Sequence, residues 1–548
     1  MSRNPHTNAL QSSQARSATT EPAWQVVRKR VLLGLVLLAS APNGRSTGPT
    51  GEEPIYIREY RVQGAKVLPR IEVEAAVYPF LGPERTPADV EQARAALEKA
   101  YHDKGFQAVT VQIPQQQVRQ GVVMLEVTET TVGRLRVKGS RYHSLDRIKA
   151  QARSLAEGKV VNFNDVTQDI VALNQWPDRK ITPELRPGTE PGTVDIDLNV
   201  QDELPLHGSL ELNNRYSPDT PELRLNGSLS YNNLWQRGHS LGASFQISPE
   251  RIEDVAVFSG YYIARFAELD WLSLMLQGTK QESNVNTLGS VAVAGRGEVL
   301  GLRAIITLPP LTKFFHSFNV GVDYKHFDQQ VSLASVETTE TPITYWPITA
   351  AYSATWAPKG SLTELNAGVT MHLRGTGSDA EEFEANRYRT DGGFIYLRGD
   401  LSHTHDLPRG FEGFLKVQGQ ISDRPLLNSE QFTGGGLGTV RGYLEAEAVG
   451  DSGAFGSIEF RSPSLLGWTK KEHNEWRVYA FLEGGILKLQ EPLPEQESRF
   501  ELASYGLGTR LQIVEHLNAS VDLGVPLIDS GRIDADDILL TFRVWADF

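Results

Sequence analysis

The chain has 548 residues, enough for two or more domains with sizeable cores, and its 54 basic and 67 acidic side chains leave a net charge of −13. That acidic balance argues against a general nucleic-acid binder. The chain contains no cysteine, which excludes disulfides, zinc–thiolate sites and cysteine nucleophiles.

The N-terminal segment is predicted to be a secretion signal. A basic triplet (RKR, 28–30) precedes a short apolar run (VLLGLVLLASA, 31–41) that contains the small residues Ala39 and Ala41. The run is too short to cross a bilayer as a helix. We therefore expect a signal peptide over residues 1–41, followed by a linker rich in Gly, Pro and Ser over residues 42–53.

An internal repeat predicts two related α+β modules. The motif RVQGAK (61–66) is echoed by RVKGSR (136–141). Around each copy the pattern predicts a strand, two helices and two strands. In the first copy, Thr86 and Pro87 are typical of the start of the second helix. We place the first β-α-α-β-β module at residues 54–130 and the second at residues 131–203.

From Leu204 onward no helical period is visible, and short segments alternate apolar and polar residues. We count sixteen such segments in residues 204–548. Short connections alternate with long ones, and the long ones cover about 280–297, 329–344, 375–390, 423–453 and 526–537. An even number of strands with short turns on one side predicts a transmembrane β-barrel of sixteen antiparallel strands. The alternative is a soluble β-sandwich or propeller, and the signal peptide favours the barrel.

The longest loop carries a single arginine in a glycine-rich stretch, GGGLGTVRGYLEAEAVG (434–450). It is not a phosphate-binding loop, because no helix and no Lys-Ser/Thr pair follow its glycines. In the thirteenth barrel segment (RVYAFLEGG), alternation turns Tyr479, Phe481, Glu483 and Gly485 towards the lumen. If the loop folds inward, Arg441 can pair with Glu483. The alternative is that both charges are simply solvated.

These two motifs carry a resemblance to a known family. Val440-Arg441-Gly442-Tyr443 resembles the loop signature of the outer-membrane barrel superfamily that assembles or exports proteins, and Phe481-x-Glu483-x-Gly485 resembles its F-x-D-x-G motif. Two modules ahead of sixteen strands resemble the two-partner secretion transporters (TpsB) of the ShlB/FhaC/HecB type, whose modules are POTRA domains.

The resemblance implies that the arginine and the acidic residue lock the loop 423–453 inside the barrel. Glu483 departs from the aspartate of the family, so the ion pair must reach one methylene further. The linker 42–53 is too short for the plug helix of some relatives, which leaves the inward loop as the main obstruction. The terminal Phe548, on the apolar face of the last strand, resembles the signal by which such barrels are recognised for insertion.

The function implied is an outer-membrane transporter that secretes an unfolded partner protein, with its POTRA modules in the periplasm. The expected partners are the exoprotein, docked by β-augmentation, the outer-membrane lipid and lipopolysaccharide, and the barrel-assembly machinery. The alternative is an assembly factor for other barrels. A barrel lipase is disfavoured, because GHSLG (238–242) lacks the strand and helix that flank a nucleophilic serine. We expect no enzyme activity, no cofactor, no metal and no nucleic-acid partner.

Overall fold

The computed structural model describes residues 54–548, except 119, 267, 284–285, 289–290, 294–295, 333–337, 467–473 and 495. The predicted signal peptide and linker lie outside the described residues. The described chain divides after Pro205 into an α+β unit and a barrel unit. Within these described ranges, no helix is both long and apolar enough to cross a membrane.

The first module packs two helices on a three-stranded sheet. Its elements are β1 Ile55–Ile57, β2 Glu59–Gln63, α1 Arg70–Val77, β3 Gly82–Arg85, α2 Pro87–Asp103, β4 Thr110–Gln112 and β5 Val122–Thr128. In the sheet, β5 pairs in parallel with β2 and antiparallel with β4. The small β1–β3 pairing was not predicted. Helix α1 ends at Val77, because Pro79 has no N–H for a further helical bond and a 3₁₀ turn over Tyr78–Phe80 follows.

The second module repeats this arrangement. Its elements are β6 Thr131–Lys138, α3 Leu145–Gln151, α4 Phe163–Leu173, β7 Arg179–Pro187 and β8 Thr193–Asp202. Strand β8 pairs in parallel with β6 and antiparallel with β7. The glycine of each repeat motif has the same structural role. Gly64 has φ of +87° and lies against the carbonyl of Val127, and Gly139 has φ of +89° and lies against the carbonyl of Val200.

The barrel is closed by sixteen antiparallel strands, as predicted. They are β9 Leu206–Asn213, β10 Arg224–Leu234, β11 His239–Ile247, β12 Val255–Phe266, β13 Leu269–Ser283, β14 Arg296–Thr307, β15 Phe314–Ser332, β16 (Thr338–Tyr345 and Ile348–Trp356), β17 Ser361–His372, β18 Phe394–Asp406, β19 Glu412–Ser422, β20 Ser452–Arg461, β21 Glu475–Lys488, β22 Arg499–Ile513, β23 Leu517–Pro526 and β24 Leu539–Asp547. Each pairs with the next, and β24 pairs with β9. Strand β16 is interrupted at Pro347, which cannot donate to the ladder.

Side chains alternate between the two faces of the barrel wall. On β21, Val478 and Leu482 are 41% and 56% exposed, whereas Tyr479, Phe481 and Glu483 are buried. This is the period of two that the sequence predicted, with an apolar outer face and a polar inner one. Leucines dominate the exposed outer positions of other strands, including Leu229, Leu300 and Leu507.

Among the described residues of the barrel unit there is one α-helix, where we expected none. Helix α5 (Ala380–Asn386) lies in the long connection between β17 and β18. The prediction was wrong because seven residues are too few to display an apolar stripe. The helix is specified by its start instead: Asp379 and Glu382 form a reciprocal capping box.

Candidate functional site

The connection between β19 and β20 folds into the barrel. A short hairpin closes its base, where Phe432–Gly434 pairs with Ala448–Gly450. Beyond this hairpin, Val440, Arg441 and Tyr443 are all at most 3% exposed. An exposed surface loop would leave such side chains in water, so the burial places the tip of the loop against the inner wall. This is the inward course that the sequence predicted for residues 423–453.

Arg441 lies directly against Glu483. The backbone N–H of Arg441 donates to Glu483 Oε2 at 2.7 Å. The guanidinium donates to Glu483 Oε1 from Nε at 3.1 Å and from Nη2 at 2.5 Å. The carboxylate therefore holds the backbone of the loop with one oxygen and its side chain with the other. The extra methylene of glutamate, a departure from the aspartate of the resembled motif, gives the reach for both contacts.

Two further carboxylates complete the surroundings of the guanidinium. Nη2 donates to Glu459 Oε1 at 2.7 Å, and Nη1 donates to Asp522 Oδ1 at 2.9 Å. Both side chains are at most 4% exposed. The alternation of β20 and β23 turns these acids inward, but the sequence analysis did not single them out. An acidic residue on the inner face of a strand near the loop was the signal that could have found them.

Two further arginines lie beside Glu459. Arg461 donates to Glu459 Oε2 from Nε at 2.9 Å and from Nη2 at 2.6 Å. The guanidinium of Arg510 lies 3.9 Å from Glu459 Oε1. Glu459 is thus paired with positive charge in addition to Arg441. Because a buried charge is costly unless it is paired and hydrogen-bonded, this pairing allows the cluster to be buried.

The aromatic residue of the wall motif forms a platform for the arginine. The Cζ atom of Arg441 lies 3.6 Å from the ring centroid of Phe481, within the range of a cation–π contact. Gly506 makes room for this ring, because a Cβ there would lie 2.3 Å from Phe481 Cζ. Tyr479 donates its hydroxyl to Asp522 Oδ1 at 2.8 Å and so holds one of the carboxylates in place.

Close backbone contact explains Gly442. This residue has φ of +93°, and its neighbour across the gap is Gly524 on β23. A Cβ on Gly524 would lie 2.4 Å from the nitrogen of Gly442. Loop and wall therefore approach to a distance that only two glycines permit. The hydroxyl of Tyr443 extends the contact, donating to the carbonyl oxygens of Ile528 at 2.7 Å and Ala503 at 3.0 Å.

Gly485 and Val440 are placed by packing. A Cβ on Gly485 would lie 2.3 Å from Phe455 Cδ1. The Phe455 ring in turn packs on Phe432 at the base of the loop, with ring centroids 5.6 Å apart. Val440 is fully buried in the same apolar cluster as Phe455 and Tyr443. The glycine of the wall motif thus leaves space for the aromatic pair that supports the loop.

The terminal Phe548 lies beside the first strand. Its backbone N–H donates to the carbonyl of Gly208 at 3.0 Å, and the N–H of Gly208 donates back at 3.1 Å. Its ring is 62% exposed on the outer face and lies over Gly208, which has no side chain to displace it. The last residue therefore extends the pairing of β24 with β9. The role of Phe548 as an insertion signal stays a prediction.

Relatives share both the sequence pattern and the fold. A model of the ShlB-type POTRA domain matches residues 55–130, and a model of the haemolysin secretion/activation protein ShlB/FhaC/HecB matches residues 192–511. The outer membrane transporter CdiB of Dickeya dadantii is 22% identical over 518 residues, covering 90% of this chain and 86% of that protein. The heme/hemopexin transporter protein HuxB of Haemophilus influenzae is 19% identical over 391 residues, covering 70% and 67%.

Solved structures show the same fold. The structure of CdiB from Escherichia coli matches with a TM-score of 0.66 at 19% identity, covering 100% of both chains. BamA from Haemophilus ducreyi matches with a TM-score of 0.54 at 13% identity, covering 90% of this chain and 100% of that one. The second of these structures lacks POTRA domains 1–3. The ShlB/FhaC/HecB model matches more than half of the residues of this chain. The chain therefore belongs to the ShlB/FhaC/HecB family of haemolysin secretion/activation proteins.

Proposed function

We propose that this protein is an outer-membrane transporter that secretes an unfolded partner exoprotein from the periplasm to the cell surface. Family membership supports export, and CdiB and HuxB are named as transporters. The observation that carries the proposal is the buried contact between Arg441 and Glu483 in a closed barrel. A loop held by charged contacts can be released and restored, as a gate for a large substrate requires.

The two α+β modules dock the substrate by β-augmentation. In the first, the sheet order β2-β5-β4 leaves β2 and β4 at its edges, and in the second the order β6-β8-β7 leaves β6 and β7. An edge strand offers backbone donors and acceptors to any extended peptide, whatever its sequence. This suits an unfolded substrate. The match of the ShlB-type POTRA model to residues 55–130 supports the first module as a POTRA domain, and the repeated topology supports the second.

The outer face contacts lipid, and the last residue guides insertion. Exposed leucines and aromatic residues cover the outside of the strands, as expected of a surface in the acyl region of an outer membrane that carries lipopolysaccharide. Phe548 on that face is the element that the barrel-assembly machinery recognises.

An assembly factor for other barrels is the alternative from the same superfamily, and the likeness to BamA favours it at the level of fold. A lipase is not supported. Ser240 is the second residue of strand β11, and its hydroxyl accepts a hydrogen bond from Arg265 at 3.0 Å. A nucleophilic serine of that motif would precede a helix.

The test is secretion by a Gram-negative host that expresses this chain with a candidate exoprotein encoded by a neighbouring gene. The wild type should release the exoprotein, and a variant lacking residues 54–203 should reach the outer membrane as a heat-modifiable barrel without releasing it. Unimpaired release by the deletion variant would refute docking by the modules. Loss of unrelated barrels from the membrane on depletion of this protein would favour the assembly factor.

A further inference from the structure

A second buried charge lies in the inward loop, far from Arg441. Glu430, at the entrance of the loop, is 1% exposed and forms an ion pair with the ammonium group of Lys325. Tyr345 donates its hydroxyl to Glu430 Oε1 at 2.7 Å, and Tyr396 donates to Oε2 at 2.8 Å. One counter-charge and two hydroxyl donors satisfy this carboxylate as fully as the guanidinium satisfies Glu483.

The backbone beside Glu430 is held as well. Arg398 donates from Nη2 to the carbonyls of Glu430 and Gln431, both at 3.1 Å. Gln420 donates to the Glu430 carbonyl at 3.2 Å. The partners of Glu430 belong to the wall strands β15, β16, β18 and β19. This set shares no strand with β20, β21 and β23, which supply the partners of Arg441.

An apolar layer surrounds the second charge cluster. Leu426 and Leu427 of the loop pack against wall residues of the same cluster, including Phe327, Ile343 and Phe394, and all are at most 7% exposed. Helix α5 contributes Phe383, whose ring lies 6.0 Å from that of Tyr345. Water is therefore excluded from the ion pair, and charged contacts in such surroundings are stronger than in a wet lumen.

The two clusters lie on adjoining parts of the barrel wall. The partners of Glu430 lie on strands from β15 to β19, and those of Arg441 lie on strands from β20 to β23. Strands β19 and β20, which carry the loop, are neighbours and form the boundary between the two sets. The segment from Glu430 to Arg441 is therefore attached to the wall on both sides of the strands that carry the loop.

We propose that Glu430 is a second positioning residue for the inward loop, which is held at two separate places on the wall, so that release at Arg441 alone does not clear the pore. The proposal rests on the proposed function only in treating the lumen as the path of the substrate. It concerns the position of the loop, which can be measured without any exoprotein.

The test is the conductance of purified variants in planar bilayers. Glu430→Gln keeps the size of the side chain and removes the charge, and Arg441→Ala removes the charged contacts at the tip of the loop. Each single variant should conduct at close to the wild-type level, and the double variant should conduct severalfold better than either. Glu491→Gln is the matched control, because Glu491 is an exposed loop carboxylate paired only at the surface with Arg389. A double variant no more conductive than Arg441→Ala would overturn the second attachment.

A cross-link keeps the proposal testable where a variant folds poorly. The natural chain has no cysteine, so Lys325→Cys and Glu430→Cys can be joined by a short bis-maleimide in the Arg441→Ala background. Joined protein should show the low conductance of the wild type, and the same protein without the reagent should conduct severalfold better. Equal conductance with and without the reagent would contradict the second attachment. Secretion assays on the same variants test the proposed function separately: export that does not depend on pore opening would refute that function without affecting the attachment at Glu430.

Discussion

Glu483 accepts a hydrogen bond from the backbone N–H of Arg441 at 2.7 Å with one oxygen and binds its guanidinium with the other. Backbone and side chain of the loop are thus fixed by a single wall residue. A contact of this kind depends on the length of the acid as well as on its charge.

Replacing Arg441 should loosen the loop. Arg441→Ala leaves Glu459, Glu483 and Asp522 buried without their common partner, which costs roughly 3–5 kcal/mol where water stays excluded. We expect faster cleavage of the loop by external protease and reduced secretion. Arg441→Lys should restore only part of the protection against protease. The lysine ammonium group lacks the planar fork of a guanidinium, so it cannot bind three carboxylates at once. Wild-type protease resistance in Arg441→Ala would show that the arginine does not hold the loop.

The pairing of Arg441 with Glu483 can be isolated by a double-mutant cycle. Glu483→Ala should give the same loop phenotype as Arg441→Ala, and the double variant should be little worse than either single one, because both remove the same contact. The readout is the rate of loop proteolysis in detergent. If the effects of the two substitutions on the free energy of loop opening, derived from the proteolysis rates, were fully additive, the two residues would act independently.

Shortening the acid should weaken the site although it restores the aspartate of the resembled motif. Glu483→Asp withdraws the carboxylate by one methylene, so we expect it to keep either the backbone contact or the guanidinium contact, with a loss of about 1 kcal/mol. Loop proteolysis should be intermediate between those of the wild type and Glu483→Ala. A rate equal to that of the wild type would show that the loop readjusts to the shorter side chain.

The contact between Gly442 and Gly524 should not tolerate a side chain. Gly524→Ala places a methyl group 2.4 Å from the nitrogen of Gly442, so the loop must move away from β23. We expect increased loop proteolysis with an intact heat-modifiable barrel. Gly438→Ala is the control within the same loop, because a Cβ there has no neighbour within 4 Å. Equal protection in both variants would contradict the close approach.

The second module should lose stability at low pH through Asp202. Burial by itself would raise the pKa of Asp202, but hydrogen bonds from the Ser140 hydroxyl and the backbone N–H groups of Arg141 and Tyr142 outweigh burial and lower that pKa to about 2. The ionised carboxylate therefore stabilises the module by about 2 kcal/mol above the pKa of the unfolded chain, near 4, and this contribution is lost as the pH falls through about 2.

The variant that tests this is Asp202→Asn, in the full chain, with unfolding of residues 131–203 followed by hydrogen exchange at increasing urea. At pH 7 it should unfold at lower urea than the wild type, and the difference should shrink steadily below pH 4. Glu203→Gln, an exposed neighbour, should match the wild type throughout. A difference between Asp202→Asn and wild type that is independent of pH would exclude the charge of Asp202 as its source.

The alternation of residues along the strands predicted part of the site, and the path of the loop determined the rest. Strict alternation placed Glu483 and Phe481 on the inner face of β21, because a strand offers only two faces. The contact of Arg441 with Asp522 needed the path of the loop, which no local pattern encodes. The contact of Glu430 with Lys325 could not be predicted for the same reason, because Lys325 lies 105 residues earlier in the chain. Helix α5 was missed because seven residues, about two turns, show no measurable period.

The two attachments of the inward loop also set an order of assembly. The partners of Glu430 come from β15 to β19, all of which precede the loop in the chain, whereas Glu459, Glu483 and Asp522 all follow it. A barrel that forms from its N-terminal strands onward can bury Glu430 as soon as the loop is made. Arg441 meets Glu459 and Glu483 only when β20 and β21 arrive, and its set of carboxylates is complete only with Asp522 on β23. The entrance of the loop is thus folded with one half of the barrel and its tip with the other, and closure of the last strands completes the site.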